Sequence, residues 1–460
     1  MKQKNQPRGQ HQLHAKAGQA PLAALFQGLV RWPVEFRDKR KPLYTMETTF
    51  WLFLGQVLAV RGSCQEATAC LLARLGRAGR AISASNAAYC KARARLPQAA
   101  LDQVLGETAG QSRDLAGGDF LWCGRRVKTV DGSSVSMPDT LENQARWPQP
   151  KGQKPGCGFP VMRLVVLFCL ASGAVIEYAG AALDVGERTL SRMLWTVLEA
   201  GDILLADRGF CSFADYVLLS RRGVDCVMRK STRVGVKSTR EKRLGKDDNL
   251  VRWHKSSNRP KWMDLETWRD LPKTVLVREI TVRIAHRGFR SKRIDIATTL
   301  LDHKAYSKKE LAELYRRRWA AELWLRDLKI TLGADVLRCK SPEMIQKELS
   351  MHLIGYNLMR ALMLQAARRG QRRPRELAFK PCLATMRQWA GNFAGASSRT
   401  DEREENYALL LDAFAKNILP KRDGRTEPRA RKRRPKNYQL LTEHRKIFKE
   451  VPHRNAYKAA

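Results

Sequence analysis

The chain has 460 residues and carries 85 Lys and Arg against 45 Asp and Glu, a formal net charge of +40. So much like charge usually indicates an anionic partner, with nucleic acid first and an anionic membrane surface second. The apolar fraction of 43% is sufficient for real cores and excludes wholesale disorder. The longest apolar run, 164–176, is shorter than the roughly 20 residues that span a bilayer, which favours nucleic acid.

The cysteines and the N-terminal residues indicate the compartment. None of the ten cysteines is spaced as C-x-x-C, and no pair of histidines completes a zinc pattern, so we interpret them mainly as buried, reduced thiols. The N-terminal residues are polar and basic and do not resemble a signal peptide. These features predict a cytoplasmic protein.

The first part of the chain is predicted to be helical. Residues 1–44 are expected to be a basic, flexible leader, and 45–118 show the periodicity of a helical domain. A glycine-rich turn precedes a third helix that carries Lys91 and Arg93. A short turn followed by a basic helix favours a helix-turn-helix that binds DNA through Lys91 and Arg93, although an ordinary helical hairpin fits the same pattern.

Residues 119–345 show a different pattern, in which short apolar strands alternate with helices. The order is a strand, a β-hairpin, a helix, a strand, a helix and a strand, followed by a further strand and a long helix from about 307 to 332. This mixed α/β order favours a ribonuclease H-like core. The 230–290 region is predicted to be an inserted β-rich subdomain, 346–418 a helical C-terminal region, and 419–460 a basic tail.

Three carboxylates lie where such a core would bring strand ends and one helix together. Asp131 ends the first strand, Asp207 follows a buried strand, and Glu322 lies on the long helix. Phosphodiester hydrolysis without a covalent intermediate typically uses two divalent metals held by carboxylates. Each residue also has an ordinary interpretation, because Asp-Gly and Asp-Arg-Gly occur in turns and a Glu among arginines often forms surface ion pairs.

Helical geometry strengthens the case for Glu322. At about 100° per residue, four polar residues share one narrow stripe: Tyr315, Arg318, Glu322 and Lys329. The neighbouring aliphatic stripe predicts the packed face of the helix: Leu314, Ala321, Leu325, Leu328 and Leu332. A Glu flanked by cations suits a metal ligand beside a phosphate backbone, and an ordinary amphipathic helix with a mixed-charge border is the alternative.

The spacing Tyr-x2-Arg-x3-Glu-x6-Lys in 315–329 resembles the signature of bacterial DDE transposases of the insertion-sequence-four family. The motifs TVDGSS around Asp131 and ADRGF around Asp207 resemble the first and second Asp motifs of that family. The resemblance covers about 120–360. It implies a ribonuclease H-like catalytic domain that is interrupted by a β-rich insertion before the Glu.

The resemblance also implies a reaction. Asp131, Asp207 and Glu322 would be the catalytic residues and would hold two Mg²⁺ ions, for which Mn²⁺ can substitute. Water would be the first nucleophile, and the freed 3′-OH would then attack the opposite strand and later the target. The implied pathway is therefore cut-and-paste transposition with a hairpin intermediate at the transposon end.

Further residues acquire roles from the same resemblance. Tyr315, Arg318 and Lys329 would contact phosphates near the terminal nucleotides of the inverted repeats. A hairpin extrudes bases that need stacking partners. Three tryptophans of the insertion could supply one, or could be core residues: Trp253, Trp262 and Trp268. The implied partners are double-stranded DNA, as terminal repeats and target, and a second copy of the chain, with a contact in the helical C-terminal region.

Other assignments stay open. Asp184 and Glu187 are rival carboxylates that we interpret as supporting residues, and Asp139 and Asp327 are interpreted as surface or structural residues. A metal-dependent nuclease with the same core but no strand transfer is one alternative function. The other is a non-catalytic DNA-binding regulator that uses the helices of 45–110.

Overall fold

The computed structural model describes part of the chain, namely residues 21–38, 42–60, 62–76, 83–154, 156, 158–230, 236–283, 293–393 and 400–420. The first residues of the predicted leader and nearly all of the predicted basic tail lie outside these ranges. The described residues group into two compact units. One contains the residues before 116 together with 327–419, and the other contains 116–326. This grouping differs from the predicted separate N-terminal and C-terminal regions.

The secondary structure is mixed. The helices, in chain order, are α1 (Pro21–Phe26), α2 (Met46–Leu58), α3 (Cys64–Gly76), α4 (Ala87–Arg95), α5 (Gln98–Leu115), α6 (Leu141–Arg146), α7 (Glu187–Met193), α8 (Phe213–Arg221), α9 (Leu265–Asp270), α10 (Lys308–Arg317), α11 (Trp319–Arg326), α12 (Pro342–Arg369), α13 (Phe379–Trp389) and α14 (Thr400–Ala415). The strands are β1 (Val127–Ser136), β2 (Val161–Cys169), β3 (Val175–Ala182), β4 (Ile203–Ala206), β5 (Asp225–Arg229), β6 (Ser238–Gly245), β7 (Asp248–His254), β8 (Thr274–Arg283) and β9 (Arg293–Thr298). Among the described residues, no helix has the length and apolar character that a membrane span requires.

The described strands of the 116–326 unit form one sheet in the order β3-β2-β1-β4-β5-β9-β8-β7-β6. The predicted hairpin is present, because β1, β2 and β3 pair antiparallel. Strands β4 and β5 then continue the sheet parallel to β1. The residues of β4 are all buried, as expected for a short strand inside a covered sheet. The predicted mixed α/β fold class is thus confirmed.

The predicted β-rich insertion does not form a subdomain with a sheet of its own. Strand β9 pairs antiparallel with β5, and β8, β7 and β6 follow it in the same sheet. A sheet that stopped at β5 would leave a row of unpaired backbone donors and acceptors at that edge, and strand addition satisfies them. Trp253 and Trp268 are buried in the same core as the first strands, so their interpretation as core residues is correct.

The long helix predicted over 307–332 is interrupted. Ser307 caps α10 through a capping box with Glu310, as the Ser-x-x-Glu pattern allows. At Arg318 the backbone tightens, because the Arg318 N–H donates to Tyr315, three residues back. After α11 a π turn spans Asp327–Thr331. The 100° wheel therefore applies within α10 and α11 but does not extend through the π turn.

The helical unit is built around α12, which has 28 residues and is buried along most of its length. Helices α2, α5, α13 and α14 pack against it. Part of the predicted leader is helical, because the apolar sequence PLAALF forms α1 with Leu25 and Phe26 buried. The prediction that Arg93 contacts DNA is wrong, because Arg93 is buried. Its side chain is only 9% exposed, and its guanidinium stacks on Phe53 and Tyr89.

Candidate active site

The two aspartates lie at one edge of the sheet because their strands are parallel neighbours. Thr129 of β1 is paired with Leu205 of β4. Two residues further along each strand, this register sets Asp131 beside Asp207. The prediction that Asp131 ends the first strand is wrong, because β1 continues through Asp131 in its pairing with β2, whereas β4 ends at Ala206 as predicted for the strand before Asp207. The carboxyl ends of parallel strands are a common position for ligands in α/β sheets.

Helix α10 brings Tyr315 to the second aspartate. The Tyr315 hydroxyl donates a hydrogen bond to Oδ1 of Asp207, with an O–O distance of 3.3 Å. The tyrosine is buried, and this burial, together with the negative charge of Asp207, raises its pKa well above the usual range. Tyr315 therefore remains protonated at physiological pH, and it can orient the Asp207 carboxylate as a donor.

Arg318 connects the other two carboxylates. Its Nη2 lies 3.1 Å from Oε1 of Glu322, and its Nη1 lies 4.0 Å from Oδ2 of Asp131. The side chain is 11% exposed, and its Nε is buried without a hydrogen-bond partner among the described residues. The predicted phosphate-binding arginine thus points toward the acids. Asp131 and Glu322 are thus linked through Arg318, while Asp207 is linked to Tyr315.

Asp131 is the most perturbed of the three acids. Its pKa is raised to about 6, chiefly by burial and further by the negative charges of Glu322 and Asp207. The Gly132 N–H, which donates to Oδ1 of Asp131, and the Arg318 charge oppose this shift. A carboxyl group whose ionised form is disfavoured gains from an added cation, so this environment suits divalent metal binding.

We expect Asp131→Asn to stabilise the metal-free protein at pH 8. The native pKa of Asp131 is raised above the unfolded value, so the contribution of this group to stability is fully present below about pH 4 and is lost as the pH rises through about 6. Removing the charge should raise the free energy of unfolding by about 1–3 kcal/mol at pH 8 and change it little at pH 4. Urea denaturation in chelator at both pH values measures this. A variant less stable than wild type at pH 8 would contradict the assigned environment.

The residue types at this site suit a divalent cation, although their side chains lie too far apart in this structure to hold one. Three carboxylates supply the hard oxygen ligands that such ions prefer. Among the described residues, however, no three His, Cys, Asp or Glu side chains lie close enough together to hold an ion. The Arg318 guanidinium lies between Asp131 and Glu322 instead. The residues therefore fit the ion in kind, and Asp131, Asp207 and Glu322 would hold it.

The remaining predicted contacts are dispersed. Lys91 is exposed on α4, and Trp268 is buried beside Lys255. Trp262 is 41% exposed, and the Arg192 guanidinium lies 3.5 Å from its ring centroid. Lys329 lies in the π turn and belongs with the helical unit, so its predicted role beside Glu322 stays a prediction.

The sequence interpretation missed one exposed aromatic residue near Glu322. Trp319 follows Arg318 directly, begins α11 and is 51% exposed. Large apolar side chains with this exposure often mark interaction surfaces. The signal was present in the sequence, because Trp319 falls outside the aliphatic stripe that defines the packed face of the helix.

Comparison with known proteins identifies the family. The family model described as "Transposase DDE domain" matches residues 122–358, which is more than half of the chain. The chain belongs to the DDE transposase family. The transposase is 27% identical over 412 residues to "Transposase InsG for insertion sequence element IS4" of Escherichia coli strain K12. The alignment covers 88% of each chain and supports a transposase of the IS4 type, as predicted.

The structural comparison is weaker. The cryo-EM structure of the piggyBac transposase synaptic complex with hairpin DNA aligns with 85% of each chain at 10% identity and a TM-score of 0.40. That value is too low to support a conclusion about this transposase. The family alone shows an enzyme that cleaves nucleic acid, and divalent metal ions are general in it.

Proposed function

We propose that this transposase excises and inserts its own insertion sequence by a cut-and-paste reaction with a hairpin intermediate at each end. The carrying observation is that Arg318 lies beside both Asp131 and Glu322 while Tyr315 contacts Asp207, and that the negative charges of Glu322 and Asp207 contribute to the raised pKa of Asp131. A DNA-binding regulator would not need this arrangement. The substrate would be double-stranded DNA, first as terminal inverted repeats and then as target, and the site of action would be the bacterial nucleoid.

The strand order supports the finer fold assignment. We interpret β3-β2-β1-β4-β5 as a ribonuclease H-like core, since three antiparallel strands are followed by two parallel ones. In such a core the first two acids lie on adjacent strands and the third on a later helix. The positions of Asp131 within β1, Asp207 directly after β4 and Glu322 in α11 support this assignment.

Asp131, Asp207 and Glu322 would hold two Mg²⁺ ions. When bound, such ions lower the pKa of water and stabilise the leaving oxygen. The chain's own contribution is orientation. Tyr315 fixes the Asp207 carboxylate through its hydroxyl, and the Asp131 carboxylate is fixed by the Gly132 N–H. These bonds restrict the two aspartates before any substrate binds, which reduces the entropy lost on the way to the transition state.

Arg318 would have two successive partners. In the DNA-free protein its guanidinium neutralises Asp131 and Glu322, which lowers the repulsion between two acids in a half-buried site. When cations neutralise the acids instead, the same planar fork is available to a phosphate, which it can bind bidentately. Lys329 would add a point charge to the same phosphate surface.

The remaining DNA contacts are proposed for exposed cations. Lys91 on α4 is exposed and is proposed to contact DNA, whereas Arg93 is buried and is not. The tail from 421 to 460 contains 14 Lys and Arg against 4 Asp and Glu and suits non-specific attraction to DNA. Paired transposon ends require two catalytic sites, so we propose a homodimer in the synaptic complex, with a contact in 346–418.

We propose that Trp262 is the residue that stacks on an extruded base. It is the exposed member of the three tryptophans, and it stacks on Arg192 of α7, the helix that also borders both Asp motifs. We expect Trp262→Ala to lower hairpin formation by about 10-fold or more while leaving the first nick unchanged, since base–aromatic stacking contributes about 1–3 kcal/mol.

Timed denaturing gels of labelled transposon ends separate these two products. Trp262→Phe, which keeps an aromatic face, should retain most of the hairpin formation. Equal loss of nicking and hairpin formation in Trp262→Ala would contradict the stacking role.

The decisive test of function is strand transfer. Purified protein is incubated with Mg²⁺ or Mn²⁺, a pre-cleaved transposon end that carries a free 3′-OH, and a supercoiled plasmid. A transposase joins the end to the plasmid, whereas a nuclease of the same fold only degrades or nicks it. A regulator leaves both DNAs intact, and its activities would be unaffected by substitution of Asp131, Asp207 or Glu322.

A further inference from the structure

Gly132 is not the turn residue that an Asp-Gly pair usually indicates. It lies within β1 and is paired with Val165 of β2, and it is not among the glycines of positive φ. A Cβ at this position would lie 2.6 Å from the carboxyl carbon of Glu187 and 2.8 Å from its Oε1. The Glu187 carboxyl group thus lies directly against the peptide that follows Asp131, and a side chain at position 132 would displace it.

The next residue of α7 contacts the second Asp motif. Nε and Nη2 of Arg188 both donate to the carbonyl oxygen of Gly209, at 2.9 and 2.7 Å. Gly209 lies in the turn Arg208–Phe210 that directly follows Asp207. Two bonds from one planar guanidinium fix both the position and the orientation of that carbonyl group. The turn after Asp207 is therefore held from α7.

Helix α7 is itself fixed at both ends. Before it, Nη1 of Arg163 in β2 donates to the Val185 carbonyl oxygen at 2.6 Å. In its last turn, Arg192 forms a bidentate pair with the buried Asp215 of α8, at 2.8 and 3.2 Å. A short helix anchored in this way can transmit a fixed spacing between the elements that it contacts, because packed cores resist small displacements.

We propose that Glu187 and Arg188 are positioning residues that set the spacing between Asp131 and Asp207. Glu187 braces the Asp131–Gly132 peptide, and Arg188 braces the turn after Asp207. The two braces are consecutive residues of one helix, so the two aspartates are held relative to a common support. This inference rests on the proposed function, because spacing matters only if the two carboxylates share a cation.

The test is a Mn²⁺ titration of the full-length, DNA-free protein by calorimetry. Arg188→Ala should raise the Mn²⁺ dissociation constant about 10-fold, the lower range for loss of a group that supports metal ligands. Arg188→Lys keeps the stem and charge with a single donor group and should fall between wild type and Arg188→Ala. Unchanged dissociation constants in both variants would overturn the proposal.

A matched control is available in the same unit. Arg221 also donates to a backbone carbonyl oxygen, that of Asp270, and to the Asp270 carboxylate, and both residues are exposed. Arg221→Ala should therefore leave Mn²⁺ binding at the wild-type level. If it weakens binding as much as Arg188→Ala does, the effect is general destabilisation and the positioning role is wrong.

Two substitutions of Glu187 separate the effect of its packing from the effect of its charge. Glu187→Gln keeps the packing on Gly132 and should bind Mn²⁺ as wild type does, whereas Glu187→Ala opens that space and should bind more weakly. Equal losses in both variants would overturn the packing role. Asp131→Asn serves as the reference for the site: if it too binds Mn²⁺ normally, the proposed metal site fails, and not only the positioning by α7.

Discussion

Glu322→Gln is expected to lower cleavage of transposon ends by about 10³-fold or more while leaving DNA binding intact. The substitution keeps the size and the hydrogen bond to Arg318 but removes the charge of one of the three proposed metal ligands. Metal-assisted phosphodiester chemistry depends on all of them, so the loss should appear in kcat. Single-turnover cleavage of a labelled end, with gel-shift affinity measured in parallel, gives the two quantities.

Glu313 offers a matched control for Glu322. It is an exposed glutamate of α10, less than three turns earlier along the chain. Glu313→Gln should cleave at nearly the wild-type rate. Cleavage that persists in Glu322→Gln would remove Glu322 from the catalytic set. A parallel loss of DNA affinity would instead indicate that Glu322 holds the phosphate-binding surface together.

Arg278→Ala is expected to be the most destabilising substitution in the sheet, at about 3–5 kcal/mol. Arg278 has no exposed surface and donates to both carboxylate oxygens of Asp248, at 2.9 and 2.6 Å, and to the Tyr306 carbonyl oxygen. Removing it leaves the Asp248 charge buried without its cation. Urea denaturation followed by tryptophan fluorescence measures the loss.

A double substitution separates the ion pair from the packing. Arg278→Met with Asp248→Leu removes both charges and should recover most of the lost stability, because apolar residues of similar volume often replace buried pairs without loss. The exposed pair Arg252–Glu241 is the surface comparison, and Arg252→Ala should leave unfolding nearly unchanged. A double variant as unstable as Arg278→Ala would show that the hydrogen bond to Tyr306, rather than the pair, is decisive.

The sequence predicted local elements better than long-range pairings. Alternating apolar runs identified β1 and β4, and the position of Asp207 directly after β4 followed from that order, whereas Asp131 lies within β1 and not at its end. The helical period likewise gave the packed face of α10 and α11, where Leu314, Ala321 and Leu325 are buried. These are local periodic signals, which survive in any fold that covers one face of an element.

Features that depend on distant partners were not predictable from the sequence. The sequence places Arg93 on a short basic helix, where a surface position would be expected. In the structure its guanidinium is buried and stacks on the rings of Phe53 and Tyr89. The Glu187 contact with Gly132 joins residues 55 positions apart. The insertion strands resemble a subdomain because nothing local reveals that β9 pairs with β5.

The helical unit combines both ends of the described chain, and this has a consequence during synthesis. Helices α2 and α5 find their buried partner only when α12 has been made, and α12 begins at Pro342. At translation rates of about 5–20 residues per second, the segment between Leu115 and Pro342 takes roughly 10–50 seconds to emerge. The three proposed catalytic acids are therefore all synthesised in a nascent chain whose helical unit is still unassembled. Such a chain would be the form that chaperones and proteases meet first.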